Sequence, residues 1–133
     1  MENKVQKNEM LYRAIKRSKP DWLEQGMPTS AMFKDSKGNS VDRGDQRKLE
    51  DIIDFMNKGV FKNRLKGIVE LNAGKCMDEP INAVVEAAPT ETNPYHANIF
   101  IDDDEQKGSL QALMLADIST VVHINEMMNW VYL

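Results

Sequence analysis

Polar and apolar residues alternate along two short stretches of the chain, a period of two that is typical of β-strands. Two further runs between them are mostly apolar and also have the length of strands. The four predicted strands are Met10–Ile15, Gly67–Leu71, Ile81–Ala88 and Tyr95–Ile101. In the first strand the alternation places Leu11, Arg13 and Ile15 on one face, so an arginine is expected among apolar side chains.

Two longer segments repeat apolar residues at helical spacing. The first covers residues 46–58, with Asp45 as the expected N-cap and Gly59 at its end. The second runs from Ser109, its expected N-cap, to about His123. The predicted buried stripes are Leu49, Ile52, Ile53 and Met56 in the first helix, and Leu110, Leu113, Met114, Ile118 and Val121 in the second.

The segment 18–39 is irregular, because prolines and glycines interrupt it repeatedly. Within it, Thr29–Phe33 is a short predicted strand and Asp35–Asn39 carries a strong turn signal, so a hairpin is expected to join Phe33 to Val41. Loops of this length are often functional, but they also simply wrap the edge of a core. The sequence leaves both roles open.

The chain has the size of one domain, and 133 residues can bury roughly two thirds of the surface that the unfolded chain exposes. We therefore predict an α+β fold: a small, mostly antiparallel sheet packed against two helices, with a long irregular N-terminal loop region. Residues 1–9 are expected to form a flexible lead. Residues 10–133 are expected to form the single domain.

Composition narrows the class of partner. The net charge is −4, and the only dense basic group is Arg13, Lys16, Arg17 and Lys19. The chain is therefore not expected to bind nucleic acid, although a local patch can bind one phosphate.

The single Cys76 excludes an intramolecular disulfide, and the acidic run Asp102–Glu105 lacks the spaced ligands of a calcium loop. No metal or cofactor is expected. A polar N-terminus and the lack of a long apolar run favour a cytoplasmic protein that does not enter the membrane.

Six polar residues beside apolar ones are candidate site residues. Ligand-binding roles are assigned to Arg13, Ser30, Asp42 and Arg43, and catalytic roles to His96 and Glu70. An arginine fork can grip a phosphate or carboxylate in two places, and an imidazole at a strand entry titrates near neutral pH. Each has a structural alternative: the arginine stem lies along the sheet, the histidine braces the turn at Pro94, and the glutamate pairs with an arginine.

Three aromatic residues are the other candidate site residues, for contact with a partner. Trp22, Trp130 and Tyr132 have the character of residues that contact a protein partner or a second copy of the chain. Phosphate-binding loops, nucleophile elbows and paired metal-binding histidines are missing from the sequence. The first functional hypothesis is therefore a non-catalytic binding or accessory domain for a protein partner. The alternative is a small enzyme or sensor for a nucleotide-like or other anionic ligand, using Arg13, Arg43 and His96.

Five stretches spread over roughly residues 11 to 122 carry a resemblance. They are Leu11–Ile15 (LYRAI), Pro28–Asp35 (PTSAMFKD), Ser40–Arg43 (SVDR), Gly67–Gly74 (GIVELNAG) and Asn93–Ile99 (NPYHANI). Together they resemble a family of small bacterial proteins that has no established activity. The resemblance implies an intracellular bacterial or phage-related origin and assigns no role to any residue.

Overall fold

The computed structural model describes residues 3–59 and 61–125 of the chain. Within them, eight β-strands, three α-helices and two 3-10 helices follow one another. The strands are β1 (Met10–Lys16), β2 (Leu23–Glu24), β3 (Met27–Pro28), β4 (Asn39–Arg43), β5 (Leu65–Asn72), β6 (Val84–Ala87), β7 (His96–Phe100) and β8 (Thr120–Ile124). The α-helices are α1 (Leu49–Lys58), α2 (Ala73–Met77) and α3 (Glu105–Ile118), and the 3-10 helices span Pro20–Trp22 and Ser30–Phe33.

Six strands form one antiparallel sheet in the order β6, β7, β4, β1, β5, β8, and β2 pairs with β3 separately. The fold is therefore α+β with a mainly antiparallel sheet, which confirms the predicted class. Strand β1 lies between β4 and β5, and its residues from Leu11 to Ile15 are buried. The predicted alternation holds there, because Leu11 and Ile15 belong to one core cluster and Tyr12 and Ala14 to another.

The two faces of this sheet are covered differently. One face, which we call the closed face, packs against α2, α3 and the two 3-10 helices in a core that includes Trp22, Phe33 and Leu115. The other, which we call the open face, packs against α1. The buried residues of that second cluster come from β1, α1 and β5: Tyr12, Ala14, Ile52, Met56, Leu65 and Ile68. Because α1 sits over β1 and β5, the open-face side chains of β4 and β7 are partly left uncovered.

Two predictions about the start of the chain need correction. Residues 3–9 are not a free lead, because Val5 is buried in the closed-face core and Glu9 forms an ion pair with Arg43 at 2.8 Å. The segment Thr29–Phe33 is not a strand, because its last four residues form the second 3-10 helix. No hairpin therefore joins this part of the described chain to β4.

The ends of the predicted helices and turns also differ. Asp45 does not cap α1, because its φ of 44° is left-handed; the helix begins at Leu49 instead, with Lys48 as N-cap. Gly59 ends α1 as expected. Directly after β5, Asn72 is the N-cap of α2, since its side chain accepts a hydrogen bond from the Lys75 amide at 2.9 Å.

Helix α3 begins and ends earlier than predicted. Asp104, not Ser109, is its N-cap, and Asp104 accepts a hydrogen bond from the Lys107 amide at 2.9 Å. The acidic run therefore starts a helix. The chain leaves the helix at Ile118, and the β-branched residues that follow form β8, which pairs with β5.

The predicted buried stripe of the last helical segment is right in part, because Met114, Ile118 and Val121 pack against the closed-face core. It is wrong at two leucines. Leu110 and Leu113 are 56% and 50% exposed, whereas the small residues Gly108, Ala112 and Ala116 face the core. These three recur every fourth position and let the helix approach the 3-10 helix Ser30–Phe33 closely. At Gly108 the neighbouring backbone is the segment just before α3, because an added Cβ would lie 2.5 Å from the backbone oxygen of Asp102.

None of the helices in the described ranges has the length and apolar character needed to cross a bilayer. Two of the predicted partner anchors, Trp130 and Tyr132, lie outside the described residues.

Candidate functional site

A groove of about 430 Å³ lies on the open face beside α1, and we call it the open-face groove. One wall is apolar and consists of Phe55 and Met56 on α1 and Phe61 just after it. The facing wall comes from the connection between β6 and β7, with Thr90, Thr92 and Asn93. The floor is formed by Tyr12, Ala14, Ser40, Val41, Asp42 and His96, and Gly59 completes the lining.

Strand alternation explains why the floor is polar. On β4, Val41 belongs to the closed-face core, so Ser40 and Asp42 point to the opposite side. Asp42 pairs with His96 across the β4–β7 ladder, which puts the imidazole on the same face. Two of the six predicted site residues, Asp42 and His96, therefore line one groove.

Asp42 is buried and holds the groove together. One carboxylate oxygen accepts a hydrogen bond from Arg47 at 3.0 Å, and the other accepts one from the Asn93 side chain at 2.8 Å. The Arg47 guanidinium lies over the Tyr95 ring, 3.6 Å from its centroid, and also donates to the Arg43 carbonyl oxygen. The negative charge is thus balanced by Arg47, and the wall at Asn93 is fixed to the sheet.

His96 and Ser40 contact each other on the floor of the open-face groove. The His96 Nδ1 lies 2.9 Å from the Ala88 carbonyl oxygen, which can only accept, so Nδ1 carries the proton. In the neutral ring Nε2 is therefore an acceptor, and it lies 3.3 Å from the Ser40 Oγ. Protonation of the ring reverses this bond and frees the Ser40 hydroxyl to donate into the groove. The arrangement is a hydroxyl beside an oriented base, at a long contact distance.

A second cavity of about 560 Å³ adjoins the groove, and Ala14, Ser40 and Phe61 line both. We call it the cationic cavity, because Lys16 and Lys19 line it together with Arg13, against one carboxylate, Asp35. The remaining lining residues are Trp22, Ala31, Met32, Gly38 and Asn39.

Arg13 is a structural element of this cavity. It is only 7% exposed, and its Nε and Nη1 donate to the carbonyl oxygens of Met32 and Ser40 at 2.9 and 2.7 Å. Burial lowers the pKa of Arg13 to about 10, with the charge of Asp35 opposing the shift, so the guanidinium remains charged at neutral pH. It fills the place where β1 and β4 diverge, just beyond the Tyr12 and Asp42 pair.

Arg43 lies elsewhere. Its Nε and Nη2 donate to the two carboxylate oxygens of Glu9 at 2.9 and 2.8 Å, and it lines neither the open-face groove nor the cationic cavity. The pKa of Glu9 is lowered. Burial alone would raise it, but the hydrogen bonds from Arg43 and from the Gln6 amide, together with the positive charge of Arg43, lower it. The geometry therefore does not place Arg43 with His96, as the anion-binding hypothesis requires.

Glu70 and Ser30 are also outside both cavities. Glu70 accepts a hydrogen bond from the Tyr12 hydroxyl at 2.8 Å rather than pairing with Arg13. Burial and this acceptor raise the pKa of Tyr12 to about 12. Ser30 is the first residue of the second 3-10 helix.

Trp22 does not have the exposure expected of a partner-binding anchor. It is 7% exposed, and its ring packs against the Arg13 guanidinium and the Lys16 ammonium at 4.7 and 5.6 Å. The expectation that it forms a surface anchor is therefore wrong. Trp130 and Tyr132 lie outside the described residues, so their partner-binding role stays a prediction.

Ser40, Lys16 and Lys19 are site residues that the sequence reasoning did not select. For Ser40 a signal existed, because it lies two residues before Asp42 on the same strand and must share its face. The lysines belong to the dense basic group, but only the fold shows that they share a cavity.

Comparison of the chain with protein-family models, with curated proteins and with solved structures finds no match. The functional argument therefore rests on the geometry of the two cavities.

Proposed function

We propose that this protein binds a small organic molecule in the open-face groove. The observation that carries the proposal is an apolar groove of about 430 Å³ whose floor presents Ser40, Asp42 and His96. Ligand sites are typically concave, mostly apolar and of roughly 300–1,000 Å³, with a few polar groups that fix orientation.

Preorganisation of the floor supports this role. Asp42 is held by Arg47 and Asn93, and His96 is held by the Ala88 carbonyl, so these side chains keep their positions without a ligand. Ser40 is the exposed member and can exchange hydrogen bonds with a bound molecule. A rigid site loses little conformational entropy on binding.

A binding or sensing role fits the site better than catalysis. Among the described residues that line the groove, His96 is the one imidazole, and the Asp42 carboxylate is paired with Arg47 and is therefore not free to act as a base. In a catalytic version of the proposal, His96 would take the proton of the Ser40 hydroxyl. A His96→Gln variant separates the two versions. The binding version predicts that the variant loses affinity for the ligand, and the catalytic version predicts that it loses turnover.

A ligand-observed NMR screen with a small-fragment library tests the proposal. The Ser40→Leu variant places an apolar side chain in the groove, and Thr120→Leu is the matched control on the exposed side of β8. We expect fragments that bind the wild type to bind Ser40→Leu at least about tenfold more weakly, a loss of about 1.4 kcal/mol, and Thr120→Leu unchanged. If no fragment binds, or if the fragments bind Ser40→Leu as tightly as the wild type, the groove is not the ligand site.

A protein partner is the second candidate, and one exposed side chain favours it. Met27, in the irregular segment 18–41, is 66% exposed. We propose that this segment contributes to a contact with another protein or with a second copy of the chain. Light scattering coupled to size exclusion tests the second-copy version: wild type should be larger than Met27→Gln, and two equal monomers at high concentration would eliminate it.

A further inference from the structure

We infer that the open-face groove and the cationic cavity form one continuous site for an organic anion. The apolar part of the ligand lies in the groove, and its phosphate or carboxylate lies between Lys16 and Lys19. This inference rests on the proposed function and specifies the chemical class of its ligand. The first support is adjacency: Ala14, Ser40 and Phe61 line both cavities, which places the two side by side.

The charge of the cationic cavity is the second support. Three cationic side chains and one carboxylate line it, in a chain whose net charge is −4. Burial and the nearby charges of Arg13, Lys19 and Arg64 lower the pKa of Lys16, which shows that like charges are held close together. A bound anion would relieve this repulsion, because it favours the charged form of each neighbour.

Local structure brings the two lysines together. The Lys19 amide donates to the Lys16 carbonyl oxygen at 3.1 Å, closing a turn at the end of β1. Among the described residues, neither ammonium group takes part in a salt bridge or a hydrogen bond. In the described part of the chain, neither charge is therefore neutralised by a carboxylate, in contrast to Arg43, which is committed to Glu9; the Lys16 ammonium packs against the Trp22 ring.

Arg13 supplies a third, buried donor. Its Nε and Nη1 are used by backbone carbonyl oxygens, and no partner of Nη2 occurs in the part of the chain that the structure describes. Since Arg13 lines the cavity, an anion there meets a fixed guanidinium as well as two mobile ammonium groups. Charge-assisted hydrogen bonds of this kind are roughly twice as strong as neutral ones.

Three probes with one ring system test the inference: 2-naphthyl phosphate, 2-naphthoate and 2-naphthol. Affinities are measured by ligand-observed NMR for the wild type, for Lys16→Met, for Lys19→Met and for the control Lys107→Met, whose exposed lysine lines neither cavity. We expect at least one anion to bind the wild type roughly 10- to 100-fold more tightly than 2-naphthol. Each cavity variant should lose most of that advantage while keeping the affinity for 2-naphthol, and Lys107→Met should behave as the wild type.

The outcomes separate this inference from the proposal beneath it. If 2-naphthol binds the wild type but not Ser40→Leu, and neither anion binds more tightly than 2-naphthol, the inferred anion site is wrong. The proposed ligand site in the open-face groove then still stands. An anion preference that survives in both cavity variants would also overturn the anion site. Failure of all three probes to bind at millimolar concentration would overturn both. The phosphate and carboxylate arms show which anion the cavity prefers, and melting temperatures equal to that of the wild type show that the variants are folded.

Discussion

The closed and open faces of the sheet use polar residues in opposite ways, although the same strand supplies both. On the closed face, the Asn39 amide donates to the carbonyl oxygens of Phe33, Asp35 and Ile99 at 3.0 to 3.1 Å. On the open face, Ser40 is exposed at the edge of two cavities. One residue along β4 thus separates a structural side chain from a candidate ligand contact.

What distinguishes Asn39 from Ser40 is the segment that lies beside each. The closed face is covered by α2 and α3 and also by the irregular segment 29–39, whose carbonyl oxygens accept hydrogen bonds from Arg13 and Asn39. On the open face, α1 satisfies most of its own backbone and leaves Ser40 exposed beside it. We therefore assign a mainly structural role to Arg13 and Asn39, and a binding role to Ser40.

The largest expected effect is on the closed face, at the buried ion pair of Arg43 and Glu9. Arg43→Met leaves the Glu9 carboxylate without its partner and should lower the free energy of unfolding by about 3–5 kcal/mol, measured by urea denaturation. The control is Lys58→Met, which breaks the exposed pair with Asp54 and should change stability by less than about 1 kcal/mol. Equal effects of the two variants would contradict the structural role of Arg43.

The same pair predicts a pH dependence. The pKa of Glu9 is lowered from its ordinary value of 4.5 in the folded protein, so unfolding takes up a proton as the pH falls. The stability that the pair contributes is complete above pH 4.5 and is lost as the pH falls through the lowered pKa. Urea midpoints should therefore fall more steeply below pH 4.5 for the wild type than for Arg43→Met.

The next effect is at Arg13. Arg13→Met removes the donors to two carbonyl oxygens and should cost about 2–4 kcal/mol, because buried acceptors are left unpaired. Arg13→Lys should recover little of this, since one ammonium group cannot reproduce the planar fork. If the free energy of unfolding is unchanged in Arg13→Met, the guanidinium has no structural role and serves ligand binding alone.

A smaller effect tests how α3 packs. Ala112→Leu should cost about 1–3 kcal/mol, because a larger side chain does not fit against the second 3-10 helix. Leu113→Ala is the control on the exposed side of the same helix and should change stability by less than about 0.5 kcal/mol. The reverse ranking, expected from the hydrophobic pattern alone, would show that α3 is turned the other way.

The smallest effect is expected on the open face. Ser40→Leu should change the free energy of unfolding by less than about 0.5 kcal/mol, because Ser40 is exposed and has no structural carbonyl to satisfy with its side chain. Chemical denaturation measures this directly. A loss comparable to that of Arg13→Met would remove the distinction between the two faces.

Four of the six strands of the sheet, β1, β5, β6 and β7, could be predicted from the sequence, whereas β8 and the surroundings of α3 could not. Alternating or mostly apolar short runs predict a strand from neighbouring residues alone, so that pattern is local. For α3, hydrophobicity favours Leu110 and Leu113 as buried residues, whereas the structure buries the small residue Ala112 and leaves both leucines half exposed. Helix α3 packs against a 3-10 helix far away in the sequence, so no local pattern shows which of its residues face the core.

The candidate site was predictable in part for a similar reason. His96 lies on a predicted strand and Asp42 directly follows the expected hairpin that ends at Val41, and the antiparallel pairing of β4 with β7 brings the two residues together. Arg13 and Arg43 carry the same signal in sequence, yet each is committed mainly to structure by a segment that covers the closed face. Which arginine remains available depends on tertiary contacts, and only the fold shows those.

The most direct test of the central claim, that the open face carries the ligand site, is an amide chemical-shift map of the wild type titrated with a fragment that binds. We expect the shifts to concentrate at Phe55, Phe61, Asn93 and His96 around the open-face groove, and to leave α3 and the closed-face core unchanged. Shifts centred on the exposed side of α3, or spread evenly over the sheet, would contradict the claim.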